Sequence, residues 1–261
     1  MRFGLVLAVL MAMAGVSHAE DALLFVSPLR VEIAPAKQTA VLTVTNKSSK
    51  TKHYRVELTD QQMNADGVTE GVDTFPYSAK NMLRFMPRRL TLEPGQRQVV
   101  RVMARRPANL PDGDYHTHLL FEEEQPAISA ATSPTAGGFK MDIGAVYGVG
   151  IPVIVQQGTL TGKATLTSAT YAPAAKPGQA DAVTAAFLRE GNSEASAYLV
   201  LTDASGVQVA TPRILRLYRE VGNVAISMPL TVKTPQFPLK LTMLTDNTPQ
   251  ATVLAEKNVG K

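Results

Sequence analysis

Cysteine is absent from the 261 residues, and so is tryptophan. Without thiols the chain can form no disulfide, hold no metal through thiolate and run no thiol chemistry. Without Trp it lacks the commonest platform for stacking a sugar. Charge is thin and nearly balanced, with 26 Lys and Arg against 22 Asp and Glu. The nearest approach to a basic cluster is Arg84, Arg88, Arg89, Arg97, Arg101, Arg105 and Arg106. Phe85 is the one aromatic interleaved with it, too few for a stacking face, so nucleic acid is not an expected partner. Long apolar runs are missing too, with one exception. Phe3 to Val16 follows Arg2 and ends at Ser17-His18-Ala19. That is the pattern of a cleaved export signal, too short for a comfortable membrane span. Residues 1–19 are therefore read as a signal peptide, with a mature chain that does not insert in a membrane.

Amphipathic helices are also lacking. What recurs instead is a short strand about every ten residues with a turn between, the spacing of a sandwich. Thr39–Thr45 ends at Asn46-Lys47-Ser48-Ser49, and Tyr54, Val56 and Leu58 alternate with polar neighbours. Leu83–Leu92 carries Pro87, which marks an edge or a bent strand. Glu93-Pro94-Gly95-Gln96 and Pro111-Asp112-Gly113-Asp114 are turns. Tyr115, Thr117, Leu119 and Phe121 share one face of a strand, and His116 and His118 share the other. Gln125–Gly138 is rich in Ala, Ser, Thr, Pro and Gly and reads as a loop. Beyond it Met141, Ile143, Ala145, Tyr147, Val149, Ile151, Val153 and Val155 fall on one parity. At about 3.3 Å per residue that run would span roughly 50 Å, more than one ordinary strand. Gln156-Gln157-Gly158 reads as a hinge. The expected fold is all-β, with two Ig-like β-sandwich domains over residues 20–156 and 157–261.

Catalysis has no motif to stand on. There is no Gly-x-Ser-x-Gly elbow, and the carboxylates pair by count alone. His116 and His118 form a possible metal pair, but no third ligand is evident beyond the Glu122-Glu123-Glu124 run. They are read as a solvated strand face. The expectation is a protein that is not an enzyme and carries neither metal nor cofactor.

Several strings occur in a telling order: Ser27-Pro28-Leu29-Arg30-Val31, then Asn46, then Met86-Pro87-Arg88-Arg89-Leu90-Thr91-Leu92-Glu93-Pro94-Gly95, then Gln98–Val102, then Leu110–Tyr115. This set resembles the periplasmic pilus-assembly chaperones of the chaperone–usher pathway, closest to their archaic, non-classical branch. The match covers most of the first half. In the second it rests on Arg189-Glu190-Gly191-Asn192-Ser193 and the all-β character. The resemblance implies an L-shaped pair of Ig-like domains in the periplasm, pilin subunits lacking their last strand as substrates, and delivery to an outer-membrane usher. It implies donor-strand complementation, a form of β-augmentation. Met141, Ile143, Ala145 and Tyr147 would then be the donor side chains.

The family also anchors the pilin's C-terminal carboxylate on basic residues. Arg30 falls where one such arginine is expected. Gly150 occupies the place of the second anchor, a lysine. Arg88, Arg89 or Lys140 could substitute, and Arg88 beside Pro87 is the preferred candidate. Self-association of the free protein is a further expectation, because a sticky strand seeks cover. The competing reading is an Ig-like structural or adhesive subunit of a surface appendage. A sandwich-based hydrolase has no residue in its favour.

Overall fold

A computed structural model describes residues 24–124 and 148–261. The export segment, Lys140 and the donor candidates Met141, Ile143, Ala145 and Tyr147 lie outside the described residues.

Among the described residues the first half supplies ten strands: β1 (Leu24–Ser27), β2 (Val31–Ile33), β3 (Thr39–Asn46), β4 (Lys52–Met63), β5 (Thr69–Val72), β6 (Leu83–Met86), β7 (Arg89–Leu92), β8 (Arg97–Ala104), β9 (Gly113–Glu123) and β10 (Gly148–Gln157). They build two sheets. One runs β1-β3-β8-β6; the other runs β2-β10-β9-β4-β5, with β7 also on β4. The second half adds β11 (Gly162–Ala172), β12 (Ala182–Gly191), β13 (Ala195–Thr202), β14 (Arg213–Leu217), β15 (Asn223–Pro229), β16 (Leu239–Leu244) and β17 (Val253–Val259). They form a three-stranded sheet, β11-β12-β15, and a four-stranded one, β14-β13-β16-β17. Each pair of sheets encloses its own apolar cluster, one around Phe121, Leu42 and Val100, the other around Phe187, Leu199 and Leu241. The fold is two β-sandwiches, as the strand spacing predicts. No helix among the described residues is long and apolar enough to cross a membrane.

Two X-Pro steps carry the chain between the sheets of the first sandwich. Ser27-Pro28 leads from β1 in one sheet to β2 in the other, and Met86-Pro87 leads from β6 to β7 in the same sense. Pro has no N–H to give a ladder, so the sheet pairing stops there. The segment expected as an edge or a bent strand, Leu83–Leu92, is therefore two strands in two sheets, each at an edge.

The ordered strings hold turns and strand ends together. Asn46 is fully buried, and its amide nitrogen donates to the carbonyls of Leu92 (2.9 Å) and Lys50 (2.7 Å). Its carbonyl side chain accepts from the Ser48 backbone and hydroxyl. The Gly95 N–H donates to the Asn46 carbonyl, so the Pro94-Gly95 turn and the β3 terminus hold each other. Arg106 is used as a clamp, donating to the carbonyls of Ile33, Ala34, Lys37 and Gln156. Burial lowers its pKa, and the four carbonyls take the desolvated donors. It ties the ends of β2 and β10 together.

The string from Leu110 to Tyr115 builds the junction between sandwiches. The Tyr115 hydroxyl donates to the Pro111 carbonyl at 3.0 Å, a tyrosine latched four residues back along its own chain. Asp112 accepts from the Thr159 N–H at 2.9 Å, just past Gly158. Gly158 has φ +62, and a Cβ there would overlap the Asp112 carboxylate. Glycine is required on both counts.

β10 explains its own continuous apolar stretch. Ile151, Val153 and Val155 face the first core, while Ile154, on the opposite parity, joins the second together with Met63 of β4. A strand buried on both faces reads as unbroken hydrophobicity.

Candidate functional site

Two features of the first sandwich meet beside the junction: an open strand edge and a cleft lined with charge.

The edge belongs to β10. All ten residues pair with β9, from Gly148 opposite Glu122 to Gln157 opposite Gly113. On the far side only Val153–Val155 are paired, in parallel with Val31–Ile33 of β2. Gly148–Pro152 therefore has no partner strand on that side among the described residues. Gly150 is exposed, and a Cβ there would touch nothing within 4 Å. Unpaired N–H and C=O groups on an apolar strand are a template for another chain.

The cleft begins at Arg30, immediately before β2. Its side chain is only 17% exposed. Nε donates to Glu32 at 2.6 Å, and Nη2 lies 2.8 Å from Glu194 of the second sandwich. Burial works against the charge of Arg30, and Glu194 and Glu32 outweigh it, leaving its pKa above the ordinary value. Glu194 also receives Arg216 at 3.1 Å, and its backbone N–H donates to Asp114 at 2.8 Å. Burial raises the Asp114 pKa. Above Asp114 the Arg219 guanidinium stacks on Tyr77 at 4.4 Å and Tyr115 at 5.3 Å. Three buried atoms of the group, Arg30 Nη1, Asp114 Oδ1 and Glu194 Oε2, have no hydrogen-bond partner among the described residues.

Behind the arginine lies a second cluster. His116 and His118 are 1% and 6% exposed. The solvated face expected for them is corrected by the second sandwich, which covers that face of β9. The His116 ring stacks on Tyr218 at 4.2 Å. Its Nε2 sits 3.1 and 3.2 Å from the two oxygens of Glu220, a carboxylate 3% exposed. Glu220 also accepts the Met63 N–H at 2.9 Å. Burial would raise the Glu220 pKa, but the His116 and Met63 hydrogen bonds hold it below the ordinary carboxylate range. Asp60, on β4, accepts from Thr117 and Ser78 at 2.7 Å each. Among the described residues no group of three or more His, Cys, Asp or Glu is placed to hold a metal.

His118 Nδ1 has no hydrogen-bond partner among the described residues. Burial, helped by His116, pushes its pKa down to about 4. Its effect on stability has a definite sign. Above pH 6.5 the ring is neutral in both folded and unfolded chain. Below it the unfolded chain takes a proton that the folded one refuses, so stability falls until about pH 4 and then levels. The expected loss is about 2–3 kcal/mol. Replacing His118 by Gln should flatten the stability curve between pH 6.5 and 4 in denaturant titrations. An unchanged slope would assign that window to other groups.

No family model matches the chain. No curated protein sequence matches it either. Solved structures do show likeness along nearly the whole length. A chaperone–tip adhesin complex of CFA/I fimbriae biogenesis is 11% identical, covers 91% of this chain and 99% of its own, and gives a TM-score of 0.49. The CsuC–CsuE chaperone–tip subunit pre-assembly complex, from the archaic chaperone-usher Csu pili of Acinetobacter baumannii, is 11% identical with coverage of 91% and 98% and a TM-score of 0.49. The Pseudomonas aeruginosa CupB2 chaperone is 10% identical, with 90% and 100% coverage and a TM-score of 0.48. At such identity the likeness places no chemistry on any residue of this chain.

The anchor candidates end up apart. Arg30 adjoins the open edge of β10, because Val31 pairs directly with Val153. Arg88 lies beyond the opposite side of the same sheet, where its carbonyl accepts the Val56 N–H and its exposed guanidinium sits 5.7 Å from the Phe85 ring. Three strands, β10, β9 and β4, separate Arg30 from that edge. Arg89 beside it pairs with Glu124 at 3.2 Å. One carboxylate cannot touch both Arg30 and Arg88. Sequence reasoning missed Glu194, Asp114, Tyr218 and Glu220 as cleft residues. Asp114 alone carried a local signal, since it sits in the Leu110–Tyr115 string.

Proposed function

We propose that the protein is a periplasmic, non-enzymatic chaperone that holds incomplete β-sandwich subunits of the pilin kind and passes them to an outer-membrane usher. The observation that carries this reading is the half-paired β10, open from Gly148 to Pro152 with Arg30 at the end of the opening. A sandwich lacking one strand exposes backbone donors, acceptors and an apolar groove. An added strand satisfies the first at about 0.5–1.5 kcal/mol net per hydrogen bond. Alternate apolar side chains fill the second at roughly 1.5–3 kcal/mol each when fully buried. The alternation through Val149 and Ile151 continues in sequence to Tyr147, Ala145, Ile143 and Met141, which we assign as donor residues. Arg30 is assigned as the anchor for the subunit's terminal carboxylate, a group suited to a guanidinium fork. Arg88 is too distant to share that carboxylate and, if it binds a subunit, meets a different part of it.

The test is co-purification of the tagged protein from the periplasm of its native host, with partners identified by mass. A stoichiometric small all-β subunit is the expected companion. Sizing of the partner-free protein is the counter-test. A ladder or fibre would replace the chaperone reading with that of a polymerising structural or adhesive subunit, whereas a monomer or small self-capped oligomer fits the chaperone.

A further inference from the structure

Resting on the anchor reading of Arg30, we infer that Glu194 is an internal occupant of the carboxylate site, which an arriving chain terminus displaces onto Arg216. Three observations converge. The Glu194 carboxylate comes from the second sandwich, is 9% exposed and lies against the Arg30 guanidinium at 2.8 Å. The contact is imperfect: Glu194 Oε2 and Arg30 Nη1 are both buried without an aligned hydrogen-bond partner. Buried polar atoms are normally satisfied, and two that are not, on facing side chains, mark a pair that can exchange for a better one. Glu194 also has somewhere to go. Its other oxygen already contacts Arg216 at 3.1 Å, and Arg216 is 42% exposed, with room to follow it.

The residue sets a threshold. A lone carboxylate must compete with those already in place, Glu194 on Nη2 and Glu32 on Nε. A carboxylate at the end of a strand that zips onto β10 brings backbone and side-chain contacts with it and can win. Glu194 would thereby favour chain termini over free small anions. It would also link capture to the domain junction, because its backbone N–H is held by Asp114 at the base of β9.

The experiment uses the mature full-length protein and two probes: an alternating valine–threonine peptide ending in a free carboxylate, and the same peptide amidated. Binding is followed by fluorescence anisotropy. The wild type should prefer the free acid. Glu194→Gln should tighten the free acid by about tenfold, within the usual range for coupled sites, and leave the amide unchanged. Arg216→Gln should act oppositely, leaving Glu194 committed to Arg30 and weakening the free acid alone. Unchanged or weaker free-acid binding in a folded Glu194→Gln protein overturns the inference. If that variant fails to fold, unchanged free-acid binding by Arg216→Gln overturns it instead. Arg30→Ala separates the two levels. If it preserves the preference for the acid, the anchor reading itself falls. If it erases the preference while Glu194→Gln changes nothing, the anchor stands and the occupant does not.

Discussion

Arg30→Ala should leave the purified protein folded but largely stripped of the subunit that leaves the periplasm with it. A guanidinium–carboxylate hydrogen bond is worth about 1.5–3 kcal/mol, so capture should weaken about 10- to 100-fold. The fold should tolerate the change better than the function does. Arg30 is a rim residue preceding β2 and belongs to neither apolar cluster. Glu194, deprived of it, retains Arg216. The stability cost should stay near 1–2 kcal/mol, below that of a fully orphaned buried charge. Arg30→Lys adds a sharper reading. It keeps the charge and loses the planar fork, so its capture should fall between wild type and alanine. Normal subunit recovery from Arg30→Ala cells would remove Arg30 from the anchor role. Equal losses from both variants would show that geometry rather than charge carries it.

How much of this was legible beforehand depends on how far apart the interacting residues lie in sequence. Asn46 and Pro94-Gly95 could be picked out because their work is done within the first sandwich. Leu110–Tyr115 could be picked out by its turn residues and the local Tyr115–Pro111 bond, although Asp112 and Asp114 also reach across the junction. The alternation of β10 was legible for the same reason, since period two is written into the strand itself. Its double burial was not, because Ile154 joins the apolar cluster of the second sandwich, most of whose residues come later in the chain. His116 and His118 show the limit most clearly. Alternation correctly placed them opposite Tyr115 and Thr117, and that face points away from the first core. Whether it meets water or another domain is decided by Tyr218 and Glu220, a hundred residues on. Nothing near position 116 reports them. Pro87 was legible as an interruption, but a proline does not say which sheet the chain joins next. Arg30 could be picked out by position in a string, whereas its partner Glu194 comes from the other sandwich and follows no strand pattern.

His116→Leu is expected to have the largest effect on stability. The histidine and Glu220 bury each other almost completely across the junction. Removing the imidazole leaves a carboxylate 3% exposed whose remaining direct partners among the described residues are backbone N–H groups, that of Met63 and its own. Stranding a buried charge in this way costs about 3–5 kcal/mol. For domains of this size that is a fall of roughly 10 °C or more in the midpoint of the first thermal transition. The loss should be repaired by taking the charge away as well. In His116→Leu/Glu220→Leu both faces of the contact are apolar, and most of the lost stability should return, since a buried pair is often replaceable by packed hydrocarbon. Function should not return with it. Tyr218, which stacks on His116, sits beside Arg30 strongly enough to feel its charge, although burial dominates its raised pKa. The latch thus helps hold the second sandwich, and with it Glu194, against the arginine. A double variant that is stable but no longer distinguishes a free carboxylate from an amide would show that the buried pair sets the geometry of the cleft. A double variant as unstable as His116→Leu alone would show that the imidazole matters for packing on Tyr218 and Phe75 rather than for the charge it faces.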